Sequence, residues 1–327
     1  MTSEATVTDA TPAHYDGGLA RVVAINPAFA VSPRDVDEQS AWLRATMEGR
    51  PPRTITGLSG GIDSAASAFV AVRALGPERP RLVSMPYGLR APSVHPPSDP
   101  NSLAHAQLVV NALRAQTGAE IDYVVHDIAP AVDALAESTG LTRELRETEQ
   151  AVEKRASGAE SRLADLKMAL GNMKARMRAV TLRYEANRQG GIVLGTENYS
   201  ENQGGYFTIG GDEETDVEPI APFLKCQIRA LARLYGVPRE LIDKAPSADL
   251  WVGQTDEAEL GMTYDDLDAV LAASARFADT TGAEARAAAI AAGIPADVVD
   301  RVHARVRATA FKRAARPTYA RRGAETR

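Results

Sequence analysis

The segment Gly57-Leu58-Ser59-Gly60-Gly61-Ile62-Asp63-Ser64 holds the residue types best suited to chemistry in this chain. Gly60 and Gly61 strip side chains from a turn, allow positive φ and let a ligand approach the backbone. Thr54–Leu58 reads as a short buried strand, and the residues from about Asp63 to Leu75 as a helix. A turn between such elements aims several N–H groups and the positive helix end in one direction. Ser59 and Ser64 add hydroxyls, giving an anion cradle suited to a pyrophosphate. Asp63 would repel a phosphate unless a cation bridged them, which points to Mg²⁺. The plainer alternative is a loop with a Ser/Asp helix cap. No GxxxxGK[ST] occurs, and no GxGxxG opens a helix after a strand, so P-loop kinase and dinucleotide-binding readings lose their support.

The elements around the turn read as alternating strands and helices. Pro33–Gly49 is expected to be a helix, with Asp35 and Asp37 near its positive end. Further strands are expected at Arg81–Pro86, Ile121–His126 and Gly191–Gly195, with helices at Leu103–Thr117 and Asp127–Thr139. That order predicts an α/β fold: a Rossmann-like parallel sheet with helices on both faces. The interval 141–189 is charged and helical, with Leu163, Leu166, Leu170, Met173, Met177 and Val180 at spacings of three and four. Such a stripe serves as core or as a subunit contact. A helical C-terminal part follows, with helices at Lys225–Tyr235, Asp265–Ala275, Ala283–Ala292 and Asp297–Phe311. Gly88–Asn101 carries four prolines and, with 203–217, is a candidate lid. The domain organisation expected is a flexible start (1–18), one nucleotide-binding domain (19–313) and a basic tail (314–327).

Composition excludes several classes. With 37 Lys+Arg against 43 Asp+Glu the net charge is −6, which argues against general nucleic-acid binding. Cys226 is the single cysteine, so there is no disulfide framework, and it reads as a buried structural thiol. The five histidines lack the four-residue spacing of a helical metal pair. No apolar run approaches the ~20 residues that span a bilayer. Residues 1–16 do not resemble a signal peptide, so a cytoplasmic location is expected.

The SGGxDS turn resembles the pyrophosphatase loop of N-type ATP pyrophosphatases, and later segments narrow the resemblance to NAD synthetases. Met85-Pro86-Tyr87-Gly88 is similar to that family's PYG stretch, and Asp127–Asp133 to its IxPAVDA segment. Gly171–Arg178 resembles its GNxKARxR helix, and Gly195–Thr208 its GTxxxxE…GFFT loop. Pro246–Leu250 and Asp256–Asp265 resemble its TADL and DExxLGxxYDxxD segments. The matches run in the family's order from about residue 54 to 313.

The resemblance implies an adenine-nucleotide alpha-hydrolase-like fold and an ammonia-dependent, ATP-using ligase. Such an enzyme converts deamido-NAD to NAD through an acyl-adenylate. It implies that Gly57–Ser64, Thr196, Lys225 and Ser247 hold ATP, with Asp63, Lys225 and Glu201 catalytic. Asp63 and Glu201 would bind Mg²⁺. Arg176, Asp216 and Lys312 would contact the acid, in a pocket shared across a homodimer. Read from residue type alone, Arg176 could instead be a solvated helix charge, Asp216 a turn residue and Glu201 a surface acid. Free ammonia is the expected nitrogen donor, because the chain has no room for the nitrilase-like domain of glutamine-dependent relatives. Ile209 stands where a Lys is familiar, Glu213-Glu214 where Gly pairs are common, and Phe311 where His is frequent. These departures leave open a paralogue acting on another carboxylic acid; a non-catalytic nucleotide-binding protein is a third reading.

Overall fold

The computed structural model describes residues 16–89, 101–247, 250–251 and 254–314. The expected lid over 88–101, the tail after 314 and the first fifteen residues lie largely or wholly outside them.

In chain order the elements are α1 (Asp16–Ile25), α2 (Pro33–Thr46), β1 (Arg53–Gly57), α3 (Ile62–Leu75), β2 (Pro80–Ser84), α4 (Ser102–Thr117) and β3 (Asp122–Val125). Then come α5 (Ala129–Ser138), α6 (Leu141–Glu153), α7 (Ala159–Gln189), β4 (Gly191–Leu194), α8 (Tyr199–Gly204) and α9 (Lys225–Tyr235). The chain continues through α10 (Arg239–Ile242), α11 (Asp256–Leu260), α12 (Tyr264–Ser274), α13 (Ala283–Ala291), α14 (Ala296–Ala308) and α15 (Ala310–Arg313). All four strands are parallel, in the order β3-β2-β1-β4. The register pairs Thr54 with both Pro80 and Ile192.

The pleat sends alternate residues to opposite faces. Leu82 and Leu194 enter a core with α2, α3, α4 and α9. Their neighbours Val83 and Val193, with Ile55, enter a second core with α5, α6 and α7. Helices therefore cover both faces, as the alternating pattern predicts. A third cluster joins α1, α12, α13 and α14, and Cys226 of α9 is buried in it. The chain leaves β1 for β2 on one side and returns to β4 on the other. Beyond the carboxyl ends of β1 and β4 lies a topological switch point, where parallel sheets open a crevice for ligands.

Three differences from the sequence expectations have local causes. The 141–189 segment is two helices, because Arg155 (φ 55°) and Gly158 (φ 76°) take left-handed conformations between α6 and α7. Along α7 the apolar stripe is core at Leu166 and Leu170, with Leu163, Met173 and Met177 packed against it, but Val180 is 61% exposed. The stripe's mean spacing is below 3.6 residues per turn, so it drifts around the helix and Val180 stands about 60° from the midpoint of Leu166 and Leu170, at the edge of the buried face. α1 starts at Asp16, inside the expected flexible start, and packs on α12 through Val22 and an Arg21–Asp266 ion pair of 2.9 Å. No helix among the described residues is long and apolar enough to cross a membrane.

Candidate active site

The Gly-rich turn leaves β1 at the switch point. Leu58 N–H continues the ladder to the Val83 carbonyl at 2.9 Å. Gly60 then takes φ 79°, and Gly61 caps α3. A Cβ on Gly60 would lie 2.4 Å from the Ser102 carbonyl of α4, so close packing as well as conformation requires glycine there. The serines shape the turn itself. Ser64 Oγ donates to the Gly61 carbonyl at 3.0 Å and accepts from Ser59 N–H at 3.2 Å. Ser59 Oγ accepts from Gly61 N–H at 3.2 Å.

Asp63, on the first turn of α3, meets two residues from distant elements. Lys225 Nζ, at the start of α9, donates to Asp63 Oδ2 at 2.6 Å and to Glu201 Oε1 at 2.8 Å. Asn198 Nδ2 donates to Asp63 Oδ1 at 2.8 Å. Asn198 also caps α8: its side-chain oxygen accepts from Glu201 N–H at 3.0 Å while Glu201 Oε2 accepts from Asn198 N–H at 3.3 Å. Tyr264, opening α12, donates from its hydroxyl to Asp256 Oδ2 at 3.1 Å, and its ring lies 5.0 Å from Lys225 Nζ.

This cluster carries more carboxylate than one ammonium balances. Burial and the neighbouring Asp63 charge push the Glu201 carboxyl up to about 8, in spite of Lys225. Burial alone would lower Lys225, but Asp63, Glu201 and Asp256 hold it well above the usual range. Burial, then the Glu201 charge, pushes the neighbouring Glu197 up to about 9. Asp256 is raised by burial, and its Oδ1 is buried with no hydrogen-bond partner. Such a field favours a bound cation. Among the described residues no group of three or more His, Cys, Asp or Glu forms a metal cage. Two carboxylate donors fit Mg²⁺, which takes one or two carboxylates and completes its shell with water and substrate phosphates.

These residues face a cleft of about 580 Å³. Gly57, Leu58, Ser59, Gly61, Ile62, Asp63 and Ser64 line it, with Thr196, Glu201, Lys225, Ser247 and Lys312. Gly60 faces α4 instead. Lys312, on α15, donates to the Gly205 and Phe207 carbonyls at 2.7 and 2.6 Å, so the C-terminal segment closes one wall. Two expected acid-binding residues lie outside the lining. Exposed Arg176 donates from Nε to the Ile209 carbonyl at 3.1 Å. Asp216 Oδ2 accepts from Arg183 at 2.6 Å and from Val193 N–H at 2.7 Å. Burial would raise that carboxyl, but Arg183 and the Val193 amide hold it below the usual range.

Sequence reasoning missed Asn198, Asp256, Tyr264 and Lys174 as site residues. The Asn198-x-x-Glu201 spacing of a capping box could have shown that Asn198 orients Glu201. Buried Lys174 of α7 donates to the Leu250 carbonyl at 2.7 Å and lies over the Tyr87 ring at 4.0 Å. It thereby holds Leu250, and its only sequence signal was its place in the GNxKARxR resemblance.

The comparisons agree with the motif resemblance. The chain matches the family model described as NAD synthase over residues 36–316. It is 42% identical over 217 residues to the NH(3)-dependent NAD(+) synthetase of Chlorobium phaeovibrioides, covering 66% of this chain and 65% of that one. With the NH(3)-dependent NAD(+) synthetase of Trichlorobacter lovleyi it shares 36% identity over 261 residues, 80% of each chain. Among solved structures, it resembles the NMN synthetase of Francisella tularensis with a TM-score of 0.63 and 27% identity, covering 89% of this chain and 99% of that one. Since the match runs from within α2 to beyond α15 and so includes every element that shapes the cleft, the chain belongs to the NAD synthase family.

Proposed function

We propose that the protein is an ATP-dependent, ammonia-using amide ligase that converts deamido-NAD to NAD, releasing AMP and pyrophosphate. The observation that carries this reading is the Lys225 ammonium held between Asp63 and Glu201 at the mouth of the Gly57–Ser64 turn. The relatives' names support the nitrogen donor and the product.

A carboxylate accepts an amine poorly because oxide is a poor leaving group. In the reaction proposed, the substrate carboxylate attacks the α phosphorus, the bond to the bridging oxygen breaks, and pyrophosphate leaves. Ammonia then adds to the activated carbonyl and gives up a proton to solvent, and AMP departs with the bonding pair. The opening N–H groups of α3, which have no partners within the helix, and its positive end hold the phosphates, on a turn braced by Ser59 and Ser64; Thr196 and Ser247 add hydroxyl contacts. Lys225 offsets charge that accumulates on the departing pyrophosphate. Asp63 and Glu201 would hold Mg²⁺, which supplies further neutralisation of the phosphates when bound. Closing the cleft with the Lys312 segment keeps water from the acyl-adenylate.

Arg176, Asp216 and Lys312 are proposed to serve the acid substrate. Arg176 shares an outer surface of α7 with exposed Val180 and Tyr184, beside exposed Ile209. A homodimer packed on that surface would bring Arg176 and Asp216 to a shared pocket. A cytoplasmic setting belongs to the same reading.

The test is pyrophosphate release with Mg·ATP and ammonium against a panel of acids, including deamido-NAD and nicotinic acid mononucleotide. Release that requires deamido-NAD and yields NAD supports the reading. Turnover only with another acid would move the substrate assignment, and formation of ADP and orthophosphate would overturn adenylation.

A further inference from the structure

Asp268 is fully buried on α12, one helical turn after Tyr264, and does not line the cleft. A buried carboxylate is costly unless it is well bonded, so its contacts carry information. Asp268 Oδ1 accepts from the Ser200 hydroxyl, and Oδ2 accepts from Cys226 N–H at 2.8 Å. Ser200 Oγ in turn accepts from Lys225 N–H at 2.9 Å. The amides of Lys225 and Cys226 belong to the first turn of α9, whose N–H groups have no partners within the helix. Ser200 directly precedes Glu201 on α8.

One carboxylate thus fastens three elements. It ties the backbone beneath Lys225 to the residue beside Glu201, and both to the helix that carries Tyr264. The side chains above this anchor meet one another: Lys225 and Glu201, both lining the cleft, at 2.8 Å, and buried Tyr264 with Asp256 at 3.1 Å. The α1 arm packs on the same helix through Val22 and Arg21, away from the cleft.

The geometry points to Asp268 as a positioning residue for adenylation: through Ser200 it fixes the spacing between Glu201 and Lys225, without touching ATP or the acid. This inference rests on the ligase reading for its kinetic consequence but not for its geometry.

The experiment compares full-length wild type with Asp268→Ala, Asp268→Asn, Ser200→Ala and the Asp268→Ala/Ser200→Ala double variant. ATP–pyrophosphate exchange gives kcat and the KM for ATP, thermal melts give the folded fraction, and calorimetry gives the affinity for Mg·pyrophosphate. Asp268→Ala is expected to lower kcat about 100-fold while KM moves less than about threefold, the effect of misplacing reacting groups by an ångström or so. Asp268→Asn keeps the volume and the acceptor for Cys226 N–H, and is expected to recover about tenfold of the kcat lost. Asp268 and Ser200 act through the same bonds, so the double variant should lose less than the product of the two single losses.

Wild-type kcat per folded molecule in Asp268→Ala, or losses that simply multiply in the double variant, would overturn the inference. Absence of exchange in the wild type with every acid would sink the ligase reading instead. In that event weaker Mg·pyrophosphate binding in Asp268→Ala still supports the positioning role, and unchanged binding overturns it.

Discussion

Replacing Lys225 with methionine keeps the bulk of the side chain and removes the ammonium from between two carboxylates. Lys225 is 2% exposed, and its charge sits 2.6 Å from Asp63 and 2.8 Å from Glu201. Removing one member of a buried ion cluster costs about 3–5 kcal/mol because the remaining charges lose their partner. Asp63 and Glu201 keep 17% and 14% side-chain exposure, so water in the cleft relieves part of that cost. The lower end, about 3 kcal/mol, is the appropriate figure. At about 2 cal/mol/K of unfolding entropy per residue, a chain of 327 residues converts it into a melting temperature lower by about 4 °C. The deficit should narrow when Mg²⁺ is added, since a dication between the same carboxylates replaces the missing charge. ATP–pyrophosphate exchange should fall by about 10²–10³-fold, the usual loss when a group aimed at developing charge is removed. Thermal melts with chelator and with Mg²⁺, beside exchange kinetics, check both halves. Exchange within tenfold of wild type, or a melting temperature indifferent to the substitution, would refute the placement of Lys225 at the centre of the site.

Gly60→Ala forces a side chain into a residue at φ 79° and 2.4 Å from the Ser102 carbonyl; the conformation alone costs about 1–2 kcal/mol. The turn must shift, so ATP affinity measured by calorimetry should fall, and unchanged affinity would count against the cradle. Lys174→Met removes the bond to the Leu250 carbonyl and should raise the KM for ATP more than it lowers kcat, because Leu250, which lines the cleft with Ser247, loses its anchor on α7. Equal losses in both parameters would assign Lys174 a different role. His303 is buried against Ser274, and burial, followed by the Arg307 charge, holds its imidazolium form below the ordinary value of 6.5. The unfolded chain therefore binds the proton more readily, and the His303 contribution to stability is whole above pH 6.5 and is lost as the pH falls through the depressed folded value. Melting curves between pH 8 and about 5 should show a drop in stability that shrinks in His303→Gln, and identical slopes would contradict the assignment.

The site was legible in the sequence where its chemistry is local. Gly57–Ser64 advertises an anion cradle because its strand, glycine turn and helix are contiguous, and backbone N–H direction follows from those elements alone. The alternation of Leu82 with Val83 and of Val193 with Leu194 likewise announces a sheet covered on both faces. The apolar stripe on α7 was readable as core as far as Met177, while Val180 at its end stands in solvent. The break after Glu153 was only half marked, since Gly158 signals a left-handed turn but Arg155 carries no such signal.

Sequence by itself therefore determined the parallel α/β architecture, the Gly-rich turn and the order of motifs that marks the family. The resemblance grouped Asp63, Glu201 and Lys225, but only the tertiary structure gave their contacts, added Asn198, more than a hundred residues beyond Asp63, and placed Arg176 and Asp216 outside the cleft lining. Backbone conformation depends on neighbours in the chain, which a sequence displays. Convergence of charges depends on how α8, α9 and α12 pack around buried Asp268, and packing is set by contacts between segments whose separation along the chain carries no record of their distance in space.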